Sequence, residues 1–461
     1  MHPNPSIFKA YDIRGVHPSD INADVSYAIG RGYATLLLSE LPAPPRKIAV
    51  SGDMRLSTPE LKEALIRGIT DTGLAVDDIG MLSTPTFYAA VGLFKYDGGV
   101  QVSASHNPKE YNGFKLVRAE AVPISGDSGI QTIRAIIETD AYAPLAETKG
   151  SRGSRSDVTL AVLEDQLSRA AAARAAISSL KVAIDPGNGV GALDMQALFA
   201  RLPCEVVWMN ETPDGTFPAH PADPMLEENT RQLRERVAAE KCDVGIGIDG
   251  DGDRYFFFDE KGEVVPPAIL RGLLAQIELA EHPHATIVYD TRPGRITTEL
   301  IEEAGGRAIM APVGHSLIKE AMLANGAVFG AESSGHFFYR LPYGTFEAPV
   351  LTVVKFLAFV SQGGKPLSEL IAPYRRFHSS GEVNVRLQNR SEGAAAIERI
   401  KKAHRDARQH TLDGLSVEYP EYWFNVRLSN TEPLLRLTVE SPSPNVTDEK
   451  RKELMALIES K

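Results

Sequence analysis

One local pattern occurs three times in this sequence, and it limits the fold more than any other feature. Lys47-Ile48-Ala49-Val50 is a short apolar run that closes on Gly52-Asp53. Ser57-Thr58-Pro59-Glu60 follows, an N-cap residue type with proline just inside a helix predicted to run to about Asp71. Leu74-Ala75-Val76 then starts another strand. Lys181 to Asp185 leads through Pro186-Gly187-Asn188-Gly189 into a helix and then into Cys204 to Trp208. Ala285 to Asp290 leads through Arg292-Pro293-Gly294 into a helix over Ile296 to Ala304, then into Arg307 to Met310. Each copy reads strand, aspartate, turn, helix, strand. Alternation of this kind builds parallel sheets covered by helices. The copies are spaced by roughly one small domain, which predicts three related α/β domains in tandem.

At 461 residues the chain is too long for one core. The polar stretch Lys149 to Ser156 reads as a linker, and Arg375 to Gly381, after Pro373, breaks the helical pattern. The predicted domains are 1–150, 151–253, 254–372 and 373–461. The last differs from the others. It alternates at Val383, Val385 and Leu387, carries a helix around Ala394 to Ala403, strands near Tyr422 to Val426 and Leu435 to Val439, and a final helix from about Asp448. It is expected to be a small α+β domain.

The clearest chemical feature is Asp249-Gly250-Asp251-Gly252-Asp253-Arg254, which follows an apolar run from Val244 to Ile248. Three carboxylates at alternate positions, spaced by glycine, can turn onto one hard cation, and such oxygen ligands suit Mg²⁺. An EF-hand is the rival arrangement, with Glu260 at its twelfth position. Arg254 stands where that loop needs glycine, and Tyr255 to Phe258 continues as a strand. A solvated acidic turn is the third option.

Four other loops hold chemistry-bearing residues. Ser103-Ala104-Ser105-His106-Asn107-Pro108 follows the apolar run Gly99 to Val102, with Lys115 downstream in Tyr111-Asn112-Gly113-Phe114-Lys115. No Gly-x-Ser-x-Gly elbow surrounds Ser105, so a hydrolase is not indicated. Glu332-Ser333-Ser334-Gly335-His336 can hydrogen-bond the hydroxyls of a polyol, and Gly314-His315-Ser316 begins a helix upstream. Arg427-Leu428-Ser429-Asn430-Thr431 can wrap a phosphate. Taken singly, each of these is also compatible with an ordinary turn or cap. No P-loop or dinucleotide fingerprint is present.

Together and in this order, the loops resemble the α-D-phosphohexomutases, specifically the bacterial phosphomannomutase/phosphoglucomutase group. The resemblance rests on Ala10-Tyr11-Asp12-Ile13-Arg14-Gly15 and on the serine, aspartate, Gly314, Glu332 and Arg427 loops. It implies four domains around a central cleft. It implies a phosphoserine at Ser105, with Mg²⁺ between its phosphate and Asp249, Asp251 and Asp253. Phosphoryl transfer to a hexose phosphate would give a 1,6-bisphosphate that turns end for end before the other phosphate returns, with the last domain hinging near Pro373 to Ser380. Arg14, His106 and Lys115 are then suited to the phosphoserine region, Lys115 as acceptor of the hydroxyl proton. His336 is a second acid/base group. Glu332 and Ser334 would hold the sugar. Arg427, Ser429, Asn430 and Thr431 would hold the other phosphate. Tyr11, Arg254, Arg292 and His315 are lesser contacts. Ser103 and Ala331 stand where the group usually has threonine and glycine, and a serine at 103 is more like the glucosamine relatives. The alternatives are therefore a phosphoglucosamine mutase and a non-catalytic sugar-phosphate-binding protein.

A net charge of −11, from 49 basic and 60 acidic residues, argues against a nucleic-acid partner. Cys204 and Cys242 have no metal-ligand spacing, and the N-terminus carries no signal-peptide pattern. The apolar stretch around Ala348 to Val360 is interrupted by Lys355 and is too short to span a bilayer. The expectation is a cytoplasmic monomer whose only partners are small hexose phosphates.

Overall fold

The computed structural model describes residues 3–40, 47–292, 294–429 and 434–460. The chain divides into two compact units: Met1–Val265 with Ser334–Ser368, and Pro266–Ser333 with Glu369–Lys461. The first unit holds two of the repeated patterns. Its larger sheet contains β1 (Ile13–Val16), β2 (Lys47–Gly52), β3 (Ala75–Met81), β4 (Gly98–Val102), β5 (Tyr111–Arg118) and β6 (Arg152–Ser154), in the order β1-β5-β4-β2-β3-β6. β2 runs parallel to β3 and β4, and β5 returns antiparallel to β4. Ile48, Val50, Val100 and Val102 on the central strands are wholly buried. Removal of side chains this size from water contributes about 1.5–3 kcal/mol each. This explains why the strands read as continuous apolar runs. A smaller sheet follows, with β7 (Lys181–Asp185), β8 (Glu205–Trp208), β9 (Val244–Ile248) and β10 (Tyr255–Phe258) in the order β10-β9-β7-β8. β7 is parallel to β8 and β9, and β9 forms an antiparallel hairpin with β10.

The second unit takes the third repeat, where β11 (Thr286–Asp290) runs parallel to β12 (Arg307–Ala311) and β13 (Phe329–Ala331). The chain then re-enters the first unit with the hairpin of β14 (Phe337–Leu341) and β15 (Gly344–Glu347) and the helix Pro349–Gly363. Lys355 is buried in that helix. The remainder of the second unit is an antiparallel sheet of β16 (His378–Ser379), β17 (Val383–Arg386), β18 (Arg408–His410), β19 (Leu415–Glu418), β20 (Trp423–Leu428) and β21 (Leu434–Ser441). Helices Arg390–Ala403 and Pro444–Glu459 pack on it through Ala396, Ile400, Leu454 and Ile458. No helix among the described residues is long and apolar enough to cross a membrane.

Three local expectations are corrected. The polar stretch at 149–156 is not wholly a linker, because β6 within it pairs parallel to β3. Ser57 holds the N-cap position, but its side chain makes no cap bond; its hydroxyl accepts from Asn112 Nδ2 at 2.8 Å instead. The last helix begins at Pro444, a first-turn proline, rather than near Asp448.

The repeated aspartates are buried at strand ends, each satisfied differently. Asp53 accepts from the Arg55 amide at 3.0 Å and the Thr58 hydroxyl at 2.7 Å. Asp185 accepts from the Gly187 amide at 2.9 Å and Asn210 Nδ2 at 3.0 Å, and lies 3.1 Å from His220 Nε2. Asp290 is held by Arg271 and by Arg292 Nε, the latter at 2.7 Å. A buried carboxylate at this position takes up the donors of the turn that must leave the sheet.

A fourth buried acid joins two elements of the first unit. Asp194, on the helix Gly191–Phe199, accepts from the Ser83 hydroxyl and from the Thr86 hydroxyl at 2.9 Å, at the start of the helix Thr84–Leu93. Burial pushes its carboxyl from 3.8 up to about 6 against those bonds. The folded value lies above the unfolded one, so the protonated form favours the fold. That contribution is complete below pH 3.8 and lost as pH rises through 6. Denaturant titrations at pH 4 and pH 7 are therefore expected to show wild type losing about 2 kcal/mol relative to Asp194→Asn on going up in pH. A pH-independent difference would contradict this.

Candidate active site

The serine and aspartate loops meet at the carboxyl ends of β4 and β9, where open α/β sheets place ligands. Ser105 is buried and has a left-handed backbone, φ +52°. Its amide donates to the Ser103 hydroxyl at 3.1 Å. Its own hydroxyl lies 3.0 Å from His106 Nδ1 and donates to Asp249 Oδ2 at 3.3 Å. The approach needs glycine at 250, because a Cβ there would sit 2.7 Å from the Ser105 carbonyl oxygen.

The three aspartates divide their oxygens between holding the loop and facing the site. Asp249 Oδ1 accepts the amides of Gly252, Asp253 and Arg254 at 3.1–3.2 Å, which leaves Oδ2 toward Ser105. Asp251 Oδ2 accepts from the Thr84 hydroxyl at 2.6 Å and lies 2.7 Å from Lys115 Nζ. Asp253 Oδ2 accepts from the same ammonium at 2.8 Å, and its Oδ1 is 3.3 Å from His336 Nε2. Asp251 Oδ1 is buried and has no hydrogen-bond partner. Ligand oxygens of the three carboxylates lie within 4.8 Å of one another. A cluster of hard oxygen donors with an unsatisfied buried oxygen fits a divalent cation such as Mg²⁺. The hairpin continuation into β10 rules out the EF-hand arrangement, which needs a helix there.

Electrostatics follow from this packing. Burial, then Asp253 and Asp251, push the Asp249 carboxyl well above the usual range. Burial works the same way on Asp253, but Lys115 and His336 hold it well below that range. Burial opposes the Lys115 charge, yet Asp251 and Asp253 raise the ammonium well above its ordinary value. In this arrangement Lys115 carries its proton. His106 is pulled well below its ordinary value by Arg254, by burial and by Arg14, so its imidazole is neutral. Arg14 donates to Asp12 and Asn107. Arg14 Nε and Arg254 Nε are buried without hydrogen-bond partners, suited to an anion. Ser334 Oγ lies 3.0 Å from His336 Nδ1, and His336 stacks on Phe338. Tyr11, half-buried, sits in the turn closed by the Lys9 amide on Asp12.

The other expected residues fall in the second unit and form their own group. Glu332 Oε1 accepts from the Gly314 amide at 2.9 Å and lies 3.6 Å from Arg292 Nη2. His315 opens the helix His315–Asn325. Arg427 donates to Glu382 at 3.0 Å, and Ser429 is buried after β20. Asn430 and Thr431 lie outside the described residues. The expected sugar loop thus straddles the units, with Glu332 and Ser333 in one and Ser334 and His336 in the other.

Three buried residues here went unremarked in the sequence. Arg55 is wholly buried and donates to the carbonyls of Ser105, Asn107, Pro108 and Tyr111 at 2.6–3.0 Å. Thr84 holds Asp251. Glu347, at the end of β15, brings a carboxylate oxygen within 4.8 Å of the ligand atoms of Asp253 and His336. Only Arg55 left a trace, as an arginine two places after a strand-end aspartate.

Comparison with known proteins agrees with this fold. Residues 5–143, 163–262 and 268–377 match the phosphoglucomutase/phosphomannomutase α/β/α domains I, II and III, and 382–457 match the C-terminal domain of the same family. A phosphomannomutase of Salmonella montevideo is 37% identical, covering 99% of this chain and 100% of that protein. A protein of Xanthomonas campestris described as phosphohexose mutases is 38% identical, covering 94% of each. The crystal structure of a phosphoglucomutase/phosphomannomutase family protein from Burkholderia thailandensis superposes with a TM-score of 0.88 at 30% identity, covering 99% of this chain and 97% of that one. With all four domains matched in order, this chain belongs to the phosphoglucomutase/phosphomannomutase family, the α-D-phosphohexomutases.

Proposed function

We propose that this chain interconverts the 1- and 6-phosphates of glucose, mannose or both, with Ser105 as phosphoryl carrier and a hexose 1,6-bisphosphate as intermediate and activator. The observation that carries the reading is the Ser105 hydroxyl, 3.3 Å from Asp249 in a buried three-carboxylate cluster and beside a neutral imidazole. In the forward step the P–Oγ bond of phosphoserine breaks, a P–O bond forms to O1 or O6 of the sugar, that hydroxyl loses its proton, and Oγ takes up a proton as it leaves, so the proton count is unchanged. The return step reverses this at the other end of the sugar, and Ser105 gives up its proton.

Phosphoryl transfer depends on positioning and charge more than on covalent chemistry. Asp249, Asp251, Asp253 and Ser105 are the residues that would hold Mg²⁺, which when bound supplies positive charge against the phosphoryl oxygens. Lys115, as an ammonium, donates to those oxygens; to act as a base it would first have to leave Asp251 and Asp253. Neutral His106 is placed to take the Ser105 proton in the return step. Arg14 and Arg254 hold the phosphoserine oxygens, and His336 handles the proton of the sugar hydroxyl. Glu332 and Ser334 bind sugar hydroxyls, with Tyr11, Arg292 and His315 as further contacts. Arg427, Ser429, Asn430 and Thr431 bind the phosphate not in transfer. A cytoplasmic setting suits Cys204 and Cys242, which are not disulfide-bonded.

The test is turnover of mannose, glucose and glucosamine 1-phosphates with Mg²⁺ and catalytic glucose 1,6-bisphosphate, with peptide mass spectrometry of Ser105 alongside. Expected are turnover of glucose and mannose phosphates and a phosphoryl group on Ser105. Preference for the glucosamine phosphate would replace the assigned sugar. Tight binding without turnover, and Ser105 never phosphorylated, would make the chain a sugar-phosphate-binding protein instead.

A further inference from the structure

We propose that Thr84 is a positioning residue for the cation loop, setting the rotation of the Asp251 carboxylate through a hydrogen bond on Oδ2 that leaves Oδ1 free to serve a cation. The inference rests on the proposed Mg²⁺ site. Thr84 touches neither a reacting atom nor the cation, and acts through Asp251.

Three contacts support it. The Thr84 hydroxyl donates to Asp251 Oδ2 at 2.6 Å, and the Thr84 amide donates to the Asp251 carbonyl at 2.9 Å. One residue therefore grips both the side chain and the backbone of Asp251. Lys115 lies on the same Oδ2 at 2.7 Å. With Oδ2 doubly occupied, Oδ1 is the buried oxygen that has no hydrogen-bond partner and is left for a cation.

Thr84 is itself fixed. It is the first residue of the helix Thr84–Leu93, whose N-cap Ser83 accepts from the Thr86 amide at 3.1 Å. The hydroxyls of Ser83, one place before Thr84, and Thr86, two places after it, are anchored on Asp194. A rigid helix start thus presents one hydroxyl to one carboxylate, as outer groups orient the ligands of a metal. Lys115 alone cannot do this, because its flexible ammonium is shared with Asp253.

The test compares full-length wild type, Thr84→Val, Thr84→Ser and Ser83→Ala, matched in Ser105 phosphorylation by intact mass. Mn²⁺ affinity is measured by electron paramagnetic resonance, and Mg²⁺ activation by turnover. Valine keeps the shape and the amide bond but removes the hydroxyl. Thr84→Val is expected to weaken Mn²⁺ binding and raise the Mg²⁺ activation constant by about 10-fold or more, with kcat at saturating Mg²⁺ within about threefold. Thr84→Ser is expected to restore both constants to within about twofold. Ser83→Ala loosens the anchor on Asp194 but keeps the Thr84 hydroxyl on Asp251; it is expected to lower the unfolding midpoint and to weaken Mn²⁺ binding less than Thr84→Val does. Unchanged metal affinity in Thr84→Val would overturn the role of Thr84, as would an equal shift in Ser83→Ala, which would mean general loosening. Absence of Mn²⁺ binding by wild type would overturn the metal site itself, and Thr84 with it.

Discussion

Ser105→Ala is expected to lower kcat by about 10⁴-fold or more while leaving hexose-phosphate binding within a few-fold of wild type. In the proposed mechanism the alanine removes the oxygen that carries the phosphoryl group between the two ends of the sugar. It leaves the loop intact, because the loop is held by groups other than that hydroxyl: Arg55 on four carbonyls and Ser103 on the Ser105 amide. Alanine meets the same left-handed strain that serine already bears at φ +52°. The split between turnover and binding is therefore the informative reading. Calorimetry with a hexose phosphate and a coupled assay measure it, and peptide mass spectrometry should find no phosphoryl group on the variant's loop. Comparable kcat in the two proteins would remove Ser105 from the mechanism.

The second large effect belongs to a residue that contacts no substrate in this reading. Arg55→Met should reduce unfolding free energy by about 3–5 kcal/mol, the usual cost of breaking a buried ion pair. It should also reduce kcat by about 10²-fold in the protein that remains folded, through misplacement of the nucleophile. Both follow from one guanidinium. Its Nε pairs with Asp53 at 3.2 Å, and its two terminal nitrogens take the carbonyls of Ser105, Asn107, Pro108 and Tyr111. Methionine leaves Asp53 as a buried carboxylate without its counter-ion and takes the guanidinium donor away from four carbonyls. Lysine retains the charge but cannot reach four acceptors in two directions. Arg55→Lys is therefore expected to recover part of the stability and little of the rate. Denaturant unfolding and turnover at saturating substrate separate the two. Wild-type kcat in folded Arg55→Met would show that the loop holds its shape without the guanidinium.

The three β-aspartate-turn-helix units were legible because each strand is buried on both faces, so its apolar run is continuous and its end abrupt. The acidic loop was legible for a similar reason. Glycines at 250 and 252 answer to backbone contact and to φ +76°, and both constraints leave a mark in the sequence. Arg55 left only its place after a strand-end aspartate, and Thr84 left no trace. Arginine and threonine near a turn are the ordinary occupants of solvent, and nothing local distinguishes a guanidinium saturated by carbonyls fifty residues away. The same holds for Asp194, whose partners Ser83 and Thr86 are more than a hundred residues distant. Lys115 was found, but its charge state was not, since that depends on Asp251 and Asp253 lying within 3 Å. The linker reading at 149–156 missed β6 because three residues of polar strand carry no apolar period to betray it.

Arg55 also bears on how the serine loop behaves over a catalytic cycle. A phosphoserine adds roughly −1.5 to −2 charges that a bare serine lacks, and many loops reorganise when so large a charge arrives or leaves. Here the four carbonyl bonds that define the loop include no atom of the phosphoryl group. If Ser105 is the carrier proposed above, the main chain is insulated from the phosphoryl group. Loaded and unloaded enzyme should share one loop backbone, and the carrier can be refilled without a folding step between turnovers.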